Sequence, residues 1–265
     1  MIKIVLCADD FGIAPGVDEA ILELVTMGRL SSVSCLVDTE QFAQDGPKLA
    51  RYHRAVDIGL HISLTETQPL WRVLAEGYLG RLTKDAMLQE IGRQIIAFRT
   101  VMGFDPAYLD GHQHVHNLRG VREAVVKWAK RIGAYVRVTA APLEIEMARR
   151  PAPVTTAFLA LMGRRLARAC AEEGVATNLQ FRGVRSFREL GSYRSLFLRT
   201  TAGVRDAALI MCHPGWPDHV LAERDAVVQP RMMEMRYFAS AEFTSDLARL
   251  GLSLAPLKAA MPAVA

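Results

Sequence analysis

The sequence predicts an α/β fold with a mainly parallel sheet of about seven strands. Short apolar segments alternate with stretches of helical periodicity along the 265 residues. Polar residues that could bind a metal ion follow several of the apolar segments, as they do at the carboxyl ends of barrel strands. An open Rossmann-type sheet is the alternative, but the turn after the first strand has no GxGxxG sequence that would indicate a dinucleotide site.

Continuous apolar segments predict the strands. Residues 3–8 (KIVLCA) and 207–212 (AALIMC) contain almost no polar side chain. This pattern is typical of strands that are buried on both faces of a parallel sheet. The predicted strands are 3–8, 33–37, 56–60, 106–109, 135–138, 177–181 and 207–212.

Helical periodicity occupies most of the sequence between these strands. After Pro15, apolar residues recur at helical spacing until Gly28, and a glycine is a common helix terminator. Two long segments, 64–82 and 140–153, contain prolines and are predicted as loops, which at this length are often functional. The predicted helices are 15–27, 42–52, 84–101, 121–132, 154–173, 195–201 and 231–249.

Composition favours one domain over residues 1–265, because half of the residues are hydrophobic and no repeat or linker-like segment divides the chain. The net charge is +4, from 32 basic and 28 acidic residues that are scattered along the chain. A nucleic-acid partner is therefore not predicted. Arg164, Arg165 and Arg168 do cluster, but this spacing is typical of a solvated helix face.

Cysteine spacing and the amino-terminal sequence predict the cellular environment. The cysteines form no CxxC pair, so they are expected to be reduced and buried. The first apolar segment stops at Asp9, too early for a signal peptide or a membrane-spanning helix. We therefore expect a cytoplasmic protein, and the sequence leaves open whether it forms homodimers.

Side chains that are costly to bury follow the predicted strands. They are Asp9 and Asp10 after the first strand, His61 after the third, Asp110 and His112 after the fourth, Arg137 within the fifth and His213 after the seventh. Each has a simple structural interpretation, such as a helix cap, a core histidine or a turn. Together, at one edge of the sheet, they favour a divalent cation such as Zn²⁺ or Mg²⁺.

The segment 110–116 (DGHQHVH) is the densest part of this set, with three of the seven histidines. If it is extended, His112, His114 and His116 share one face. Asp110 is a candidate for orienting an imidazole.

Four short motifs resemble those of the YdjC-like carbohydrate deacetylases, which include diacetylchitobiose deacetylases and hopanoid-associated deacetylases. The motifs are ADDFG at 8–12, GLH at 59–61, DGHQHVH at 110–116 and MCHPG at 211–215. They occur in the order and at the approximate spacing of that family, over about residues 5–255. The resemblance implies a distorted (β/α) barrel related to polysaccharide deacetylases.

The resemblance also implies a reaction and its residues. It assigns Asp10, His61 and His112 as ligands of one divalent ion, Asp9 as the general base and His213 as the general acid. The implied reaction is the hydrolytic removal of acetyl from an N-acetylated sugar, which is a chito-oligosaccharide or part of a glycolipid or glycan. Gln113 stands where hopanoid-associated members tend to carry Lys, so the sequence does not assign a subfamily.

Five further residues are candidates for binding the substrate. Trp71 and Trp216 could stack on sugar faces or serve only in packing. Arg137 could bind a sugar hydroxyl, a phosphate or a core carboxylate, and His114 and His116 could face the substrate or support the ligands. Two other functions are considered: a phosphoesterase with two metal ions, and a non-catalytic sugar- or metal-binding protein.

Overall fold

The computed structural model describes residues 1–66, 68–140, 152–187 and 191–261. The strands in these residues are β1 (Ile2–Phe11), β2 (Ser32–Cys35), β3 (Asp57–Ile62), β4 (Tyr108–Gly111), β5 (Tyr135–Val136), β6 (Gln180–Arg182), β7 (Ala208–Cys212) and β8 (Leu252–Leu254). The helices are α1 (Pro15–Thr26), α2 (Glu40–Ala50), α3 (Leu70–Tyr78), α4 (Lys84–Met102), α5 (Val121–Ile132), α6 (Pro153–Glu172), α7 (Tyr193–Thr201), α8 (His219–Arg224), α9 (Gln229–Ala239), α10 (Ala241–Arg249) and α11 (Leu257–Ala260). A 3₁₀ segment, His112–Asn117, follows β4.

The sheet is parallel and has the order β5-β4-β3-β2-β1-β7-β6, while β8 pairs with the first residues of β1. Its two ends meet, because Val136 forms a parallel bridge with Thr177 just before β6. The Asn178 amide closes the same gap: its oxygen accepts from Val138 N at 2.8 Å and its nitrogen donates to Val138 O at 3.0 Å. The predicted distorted (β/α) barrel is confirmed.

Alternate residues of β1 face two different apolar clusters. Ile4 and Leu6 pack outward against the surrounding helices, whereas Val5 and Cys7 pack inward against residues such as Tyr108. Both faces are therefore buried, which explains the continuous apolar sequence. The same alternation directs the residues that follow the strands into the mouth of the barrel.

Several predicted elements differ from the structure. The segment 64–82, predicted as a loop, contains α3, whose apolar face is small because only Val73 and Gly77 are buried. The predicted helix 231–249 is two helices, divided at Ser240, whose Oγ accepts from Phe243 N and caps α10.

The remaining differences concern short strands and loops. β8 was not predicted, since its three residues carry too little pattern. β5 and β6 are shorter than predicted, and α8, which lies between the predicted strand 207–212 and the predicted helix 231–249, was not predicted. The predicted loop 140–153 falls mainly on residues 141–151, outside the described part of the chain.

The cysteines are free and buried, as predicted. Among the described residues, no helix combines the length and the apolarity that are needed to cross a membrane.

Candidate active site

Asp9 and Asp10 stand near the end of β1, where the regular pairing with β2 is interrupted between Ala8 and Phe11. Asp10 has a φ of 71°, in the left-handed region, which few residues other than glycine adopt and in which Asp is among the better tolerated. This local distortion lets two adjacent carboxylates contact different partners. Both are almost fully buried, so each needs a compensating charge.

Asp10 is surrounded by cations and imidazoles. Its Oδ2 accepts from Arg231 Nη2 at 2.6 Å, and its Oδ1 lies 2.9 Å from His112 Nδ1 and 3.4 Å from His61 Nε2. Burial alone would raise the pKa of Asp10, but Arg231 and His112 outweigh it and hold the pKa well below its usual range. Asp10 is therefore a carboxylate and can act as a metal ligand.

His61 is held in one orientation by Asp110. The Nδ1 of His61 lies 2.6 Å from Asp110 Oδ1, so that Nε2 points towards Asp10. Burial disfavours the charged imidazole, but the carboxylates of Asp110 and Asp9 outweigh it and raise the pKa of His61 to about 10. A divalent cation at this position would take the place of that proton.

Arg137 connects Asp110 with Asp9. Its Nη1 and Nη2 donate to the two oxygens of Asp9 at 2.6 and 2.9 Å. Its Nε forms an ion pair with Asp110 Oδ2 at 3.0 Å, without the angle of a hydrogen bond. Of the three partners considered for Arg137, the structure therefore brings it to core carboxylates. Its side chain is fully buried.

His213 stands opposite Asp9. The distance from His213 Nε2 to Asp9 Oδ2 is 3.9 Å. The ring meets Phe187 edge-on, with 5.5 Å between centroids, and the backbone N–H of His213 donates to Glu234 Oε2 at 2.5 Å. Burial lowers the pKa of His213, so its neutral form is favoured at pH 7. Arg185 in turn holds Glu234 at 2.6 Å.

These groups line a cavity of about 410 Å³ at the carboxyl ends of the strands. Asp9, Asp10, His61, His112 and His213 all reach its wall. The rest of the lining includes apolar side chains, among them Phe158, Leu159, Val184 and Phe187, and the charged side chains of Arg185, Arg224, Asp225 and Arg231. A cavity with a few convergent polar groups in an apolar wall is the usual form of a small-molecule site.

The 3₁₀ segment separates the three neighbouring histidines. Gln113 and His114 have φ values of 51° and 62°, so the chain turns after His112 and does not continue as an extended segment. His114 reaches the cavity wall but packs against Phe181, while His116 is fully buried outside the lining. Burial lowers the pKa of His116 to about 3, so it is a neutral core residue.

The two tryptophans considered for substrate binding lie away from the cavity wall. Trp71 is 70% exposed on α3. Trp216 is partly buried against the core and donates its indole N–H to Glu23 Oε2 at 3.3 Å. Their proposed contact with a sugar ring stays a prediction.

Sequence reasoning missed the residues contributed by α9. Arg231 contacts Asp10, and Glu234 positions His213. One signal for Arg231 was available, because a cation in the first turn of a helix is unfavourable for the helix dipole and requires a partner. Nothing in the sequence marked Glu234.

Asp10, His61 and His112 fit a divalent cation. One ligand atom from each lies within 4.8 Å of the other two. Two ligands about 2.1 Å from an ion at a tetrahedral angle are roughly 3.4 Å apart, which is compatible with the separations of 2.9 and 3.4 Å from Asp10 Oδ1. A carboxylate and two imidazoles suit Zn²⁺ and similar ions, and the bond from His61 to Asp110 is typical of metal-binding histidines.

Fold and site together define an α/β-barrel protein with a cluster of carboxylates and histidines at the carboxyl ends of its strands. Within that class, the family model for YdjC-like proteins matches residues 3–249, and the chain belongs to this family. A mouse protein named carbohydrate deacetylase is 29% identical over 249 residues, which is 82% of this chain and 79% of that protein. The resemblance indicated by the four motifs is confirmed.

Solved structures share the fold. A crystal structure of an Enterococcus faecalis protein, described as a cellobiose-phosphate cleavage protein, superposes with a TM-score of 0.70 at 21% identity, covering 98% of this chain and 99% of that one. A family 4 acetyl xylan esterase from Clostridium thermocellum, in complex with a cobalt ion, has a TM-score of 0.50 at 11% identity, with 97% and 89% covered. At these identities the likeness is one of fold.

Proposed function

We propose that the protein is a metal-dependent hydrolase that removes the acetyl group from an N-acetylated sugar. The observation that carries the proposal is the pairing of Asp9 with His213, 3.9 Å apart, beside the three candidate ligands. The name of the mouse relative, carbohydrate deacetylase, supports the substrate class. The acetyl xylan esterase, which shares the fold and binds cobalt, supports hydrolysis of an acetyl group beside a cation.

Asp10, His61 and His112 would hold the ion. A divalent cation there supplies a Lewis acid that polarises the amide carbonyl and makes water more acidic. The chain prepares this place in two ways. Arg231 keeps Asp10 ionised, and Asp110 fixes the ring of His61 so that Nε2 is directed towards Asp10.

Asp9 is the general base in this proposal. Arg137 holds both of its oxygens, which fixes the plane of the carboxylate. Oδ1 also accepts from the Cys7 thiol, but Oδ2 keeps a second lone pair, so Asp9 can still accept a proton from the attacking water. Because Oδ2 faces the cavity on the side of His213, Asp9 takes up the proton of water next to His213, the residue that protonates the leaving nitrogen.

His213 is the general acid. Its neutral ring first accepts at Nε2 the proton that Asp9 has taken from water, and it then delivers this proton to the amine nitrogen as the carbon–nitrogen bond breaks, so that the products are acetic acid and the free amino sugar. Water loses one proton and the leaving nitrogen gains one, so the pair returns to its starting state after each turnover. The bond from its backbone to Glu234 and the contact with Phe187 keep the ring at the cavity wall.

The geometry disfavours a phosphoesterase with two metal ions. Cys7, Asp9 and Asp110 form a second group of possible ligands beside the first. Arg137 fills that position, since its Nη1 lies 2.6 Å from Asp9 Oδ1 and 3.7 Å from Cys7 Sγ. A guanidinium there excludes a second cation by charge and by volume.

Mass spectrometry on a panel of N-acetylated sugars, with and without a chelator, tests the reaction. We expect the loss of one acetyl group, abolished by the chelator and restored by added Zn²⁺ or Co²⁺. Asp9→Asn is expected to keep the metal and to lose about 10²–10⁴-fold in turnover. His112→Ala, the matched variant on the ligand side, is expected to lose the metal itself. Wild-type turnover in Asp9→Asn would refute the base assignment, and metal binding without turnover on any sugar would favour a binding protein.

A further inference from the structure

One face of α6 exposes a row of apolar side chains. Val154, Phe158 and Leu161 are 82%, 52% and 62% exposed. At about 100° per residue, these three positions lie within roughly 60° of one another around the helix axis. The opposite face, with Ala160, is packed against the rest of the protein. Isolated exposed apolar residues are normal, but an aligned row on one helix indicates an interaction surface.

Further along α6, the same exposed face carries basic side chains. Arg165 and Arg168 fall in the same sector of about 80°, one and two turns beyond Leu161, and Arg164 flanks them. Arg165 is exposed, and the Arg168 side chain is 82% exposed beside Glu172. Within the described part of the chain, Arg164 and Arg165 form no ion pair. The exposed face of α6 is thus apolar in its first half, and its second half carries the arginines together with Glu172, which lies in the same sector and pairs with Arg168.

The apolar half borders the mouth of the active-site cavity. Phe158 belongs both to the exposed row and to the cavity lining, and its neighbours Thr155 and Leu159 also line the cavity. Phe187 adds a further apolar side chain to the same wall. A partner that covers the first half of α6 therefore lies next to the entrance of the site.

We propose that this face of α6 docks on the surface of a bilayer that contains anionic lipids. Apolar side chains of a surface-bound helix enter about 5–10 Å into the boundary between headgroups and acyl chains. The arginines, one to two turns further along, would then lie at the level of the lipid phosphates, with which a guanidinium pairs well. The helix would dock at a tilt, with its first turns deepest, and the cavity mouth beside Phe158 would lie next to the lipid surface.

Charge and size favour a bilayer over a second copy of the chain. Three exposed apolar side chains cover far less than the roughly 800 Å² per partner that a stable protein interface buries. A two-fold contact centred on the apolar half would also leave Arg165 of both copies without an acidic partner from this face, because Glu172 is already paired with Arg168. A bilayer with anionic headgroups could bind the apolar side chains in its acyl region and the arginines at its phosphates at the same time.

Vesicle sedimentation tests the proposal with the full chain. We expect binding to vesicles of 70% phosphatidylcholine and 30% phosphatidylglycerol, little binding to phosphatidylcholine alone, and weaker binding as salt increases. Arg165→Glu with Arg168→Glu is expected to weaken binding at least about 25-fold, since each cation contributes roughly fivefold. The control is Arg51→Glu with Arg54→Glu, which makes the same charge change in exposed residues between α2 and β3, on the side of the barrel away from α6, and should leave binding near wild type.

Leu161→Trp gives a direct readout of insertion. The fluorescence of the new tryptophan should shift to the blue when anionic vesicles are added. In a second variant, Leu161→Ser, binding to the vesicles should be roughly tenfold weaker than in wild type. Leu161 does not line the cavity, so both variants should turn over a soluble N-acetyl sugar at the wild-type rate, which separates this proposal from that of the reaction. Equal binding by the two charge-reversal variants, no blue shift at position 161, or a dimer that forms through this face without lipid would each overturn it.

Discussion

Arg137→Met should strongly destabilise the protein, because one guanidinium serves two buried carboxylates. Arg137 donates to both oxygens of Asp9, and its Nε lies 3.0 Å from Asp110. The carboxylates are 3% and 0% exposed, so water cannot replace the lost partner. Methionine keeps most of the apolar stem and removes the charge, so that the change is mainly electrostatic.

Removing one partner of a buried ion pair typically costs 3–5 kcal/mol. Since two carboxylates lose their cation here, we expect a value near the upper end, about 5 kcal/mol. For a chain of this size each kcal/mol lowers Tm by about 2–4 °C, which gives a decrease of roughly 10–20 °C. Urea unfolding and calorimetry measure both quantities.

The loss should depend on pH. Burial raises the pKa of Asp110, but Arg137 and His61 outweigh it and hold the pKa below its usual range. A lowered pKa stabilises the folded state above the unfolded pKa of about 3.9, and this stability disappears as pH falls through the folded value. Without Arg137, burial has the larger effect on Asp110 and favours its protonated form. The difference between variant and wild type should therefore be largest near pH 7.5 and should shrink towards pH 5.

Two controls separate charge from packing. Arg168→Met removes an arginine whose ion pair with Glu172 is 82% and 62% exposed, and it should cost less than about 0.5 kcal/mol. Adding Asp110→Asn to Arg137→Met removes one of the stranded charges and should recover part of the stability. A cost below about 1 kcal/mol for Arg137→Met, or a cost that does not change with pH, would refute the reasoning.

Three further predictions concern the metal and the backbone. Asp110→Asn should weaken metal binding about 10–100-fold in a competition titration with a chelating dye, because His61 loses the carboxylate that orients it. Carboxylates raise the pKa of His61 from 6.5 to about 10, so the metal-free protein should lose stability as pH rises through this range. A metal ion binds the neutral ring and should therefore raise Tm more at pH 9 than at pH 6. The opposite trend would contradict the assignment of His61 as a ligand. Gly183→Ala should lower the free energy of unfolding, measured with urea, by more than about 2 kcal/mol, because φ is +96° and the new Cβ would lie 2.1 Å from Met211 O. Gly28→Ala is the control: its φ is +66° with open space around it, and it should lower the free energy of unfolding by about 1 kcal/mol.

The strands, and the edge of the sheet at which the site lies, could be predicted because both depend on local sequence patterns. Continuous apolar sequence marks strands that are buried on two faces, and a period of two then fixes which residues face inward. Val5, Cys7 and Asp9 form one such series, and Leu209, Met211 and His213 form another. The convergence of Asp9 and His213 on one cavity thus follows from sequence alternation and parallel pairing.

The rest of the site depends on packing that no local pattern contains. The three neighbouring histidines suggested a shared face, but positive φ values at Gln113 and His114 direct them to different surroundings. Arg231 reaches Asp10 across 221 residues of sequence, and that contact depends on where α9 packs. Local sequence can indicate that a buried charge needs a partner, but it does not say which distant helix supplies it.

The buried charges of the site form one coupled unit. Asp9, Asp10 and Asp110 carry three negative charges, and Arg137 and Arg231 carry two positive ones, so the cluster with neutral histidines has a net charge of −1. A proton on His61 neutralises it, which explains the raised pKa of this ring, and a divalent cation would change its sign to +1. Because Arg137 touches both Asp9 and Asp110, the proposed base and the residue that supports the proposed metal ligand His61 share one counter-ion. Any change in charge at the ligands should therefore alter the field at the base, and variants on the two sides should show non-additive effects on turnover.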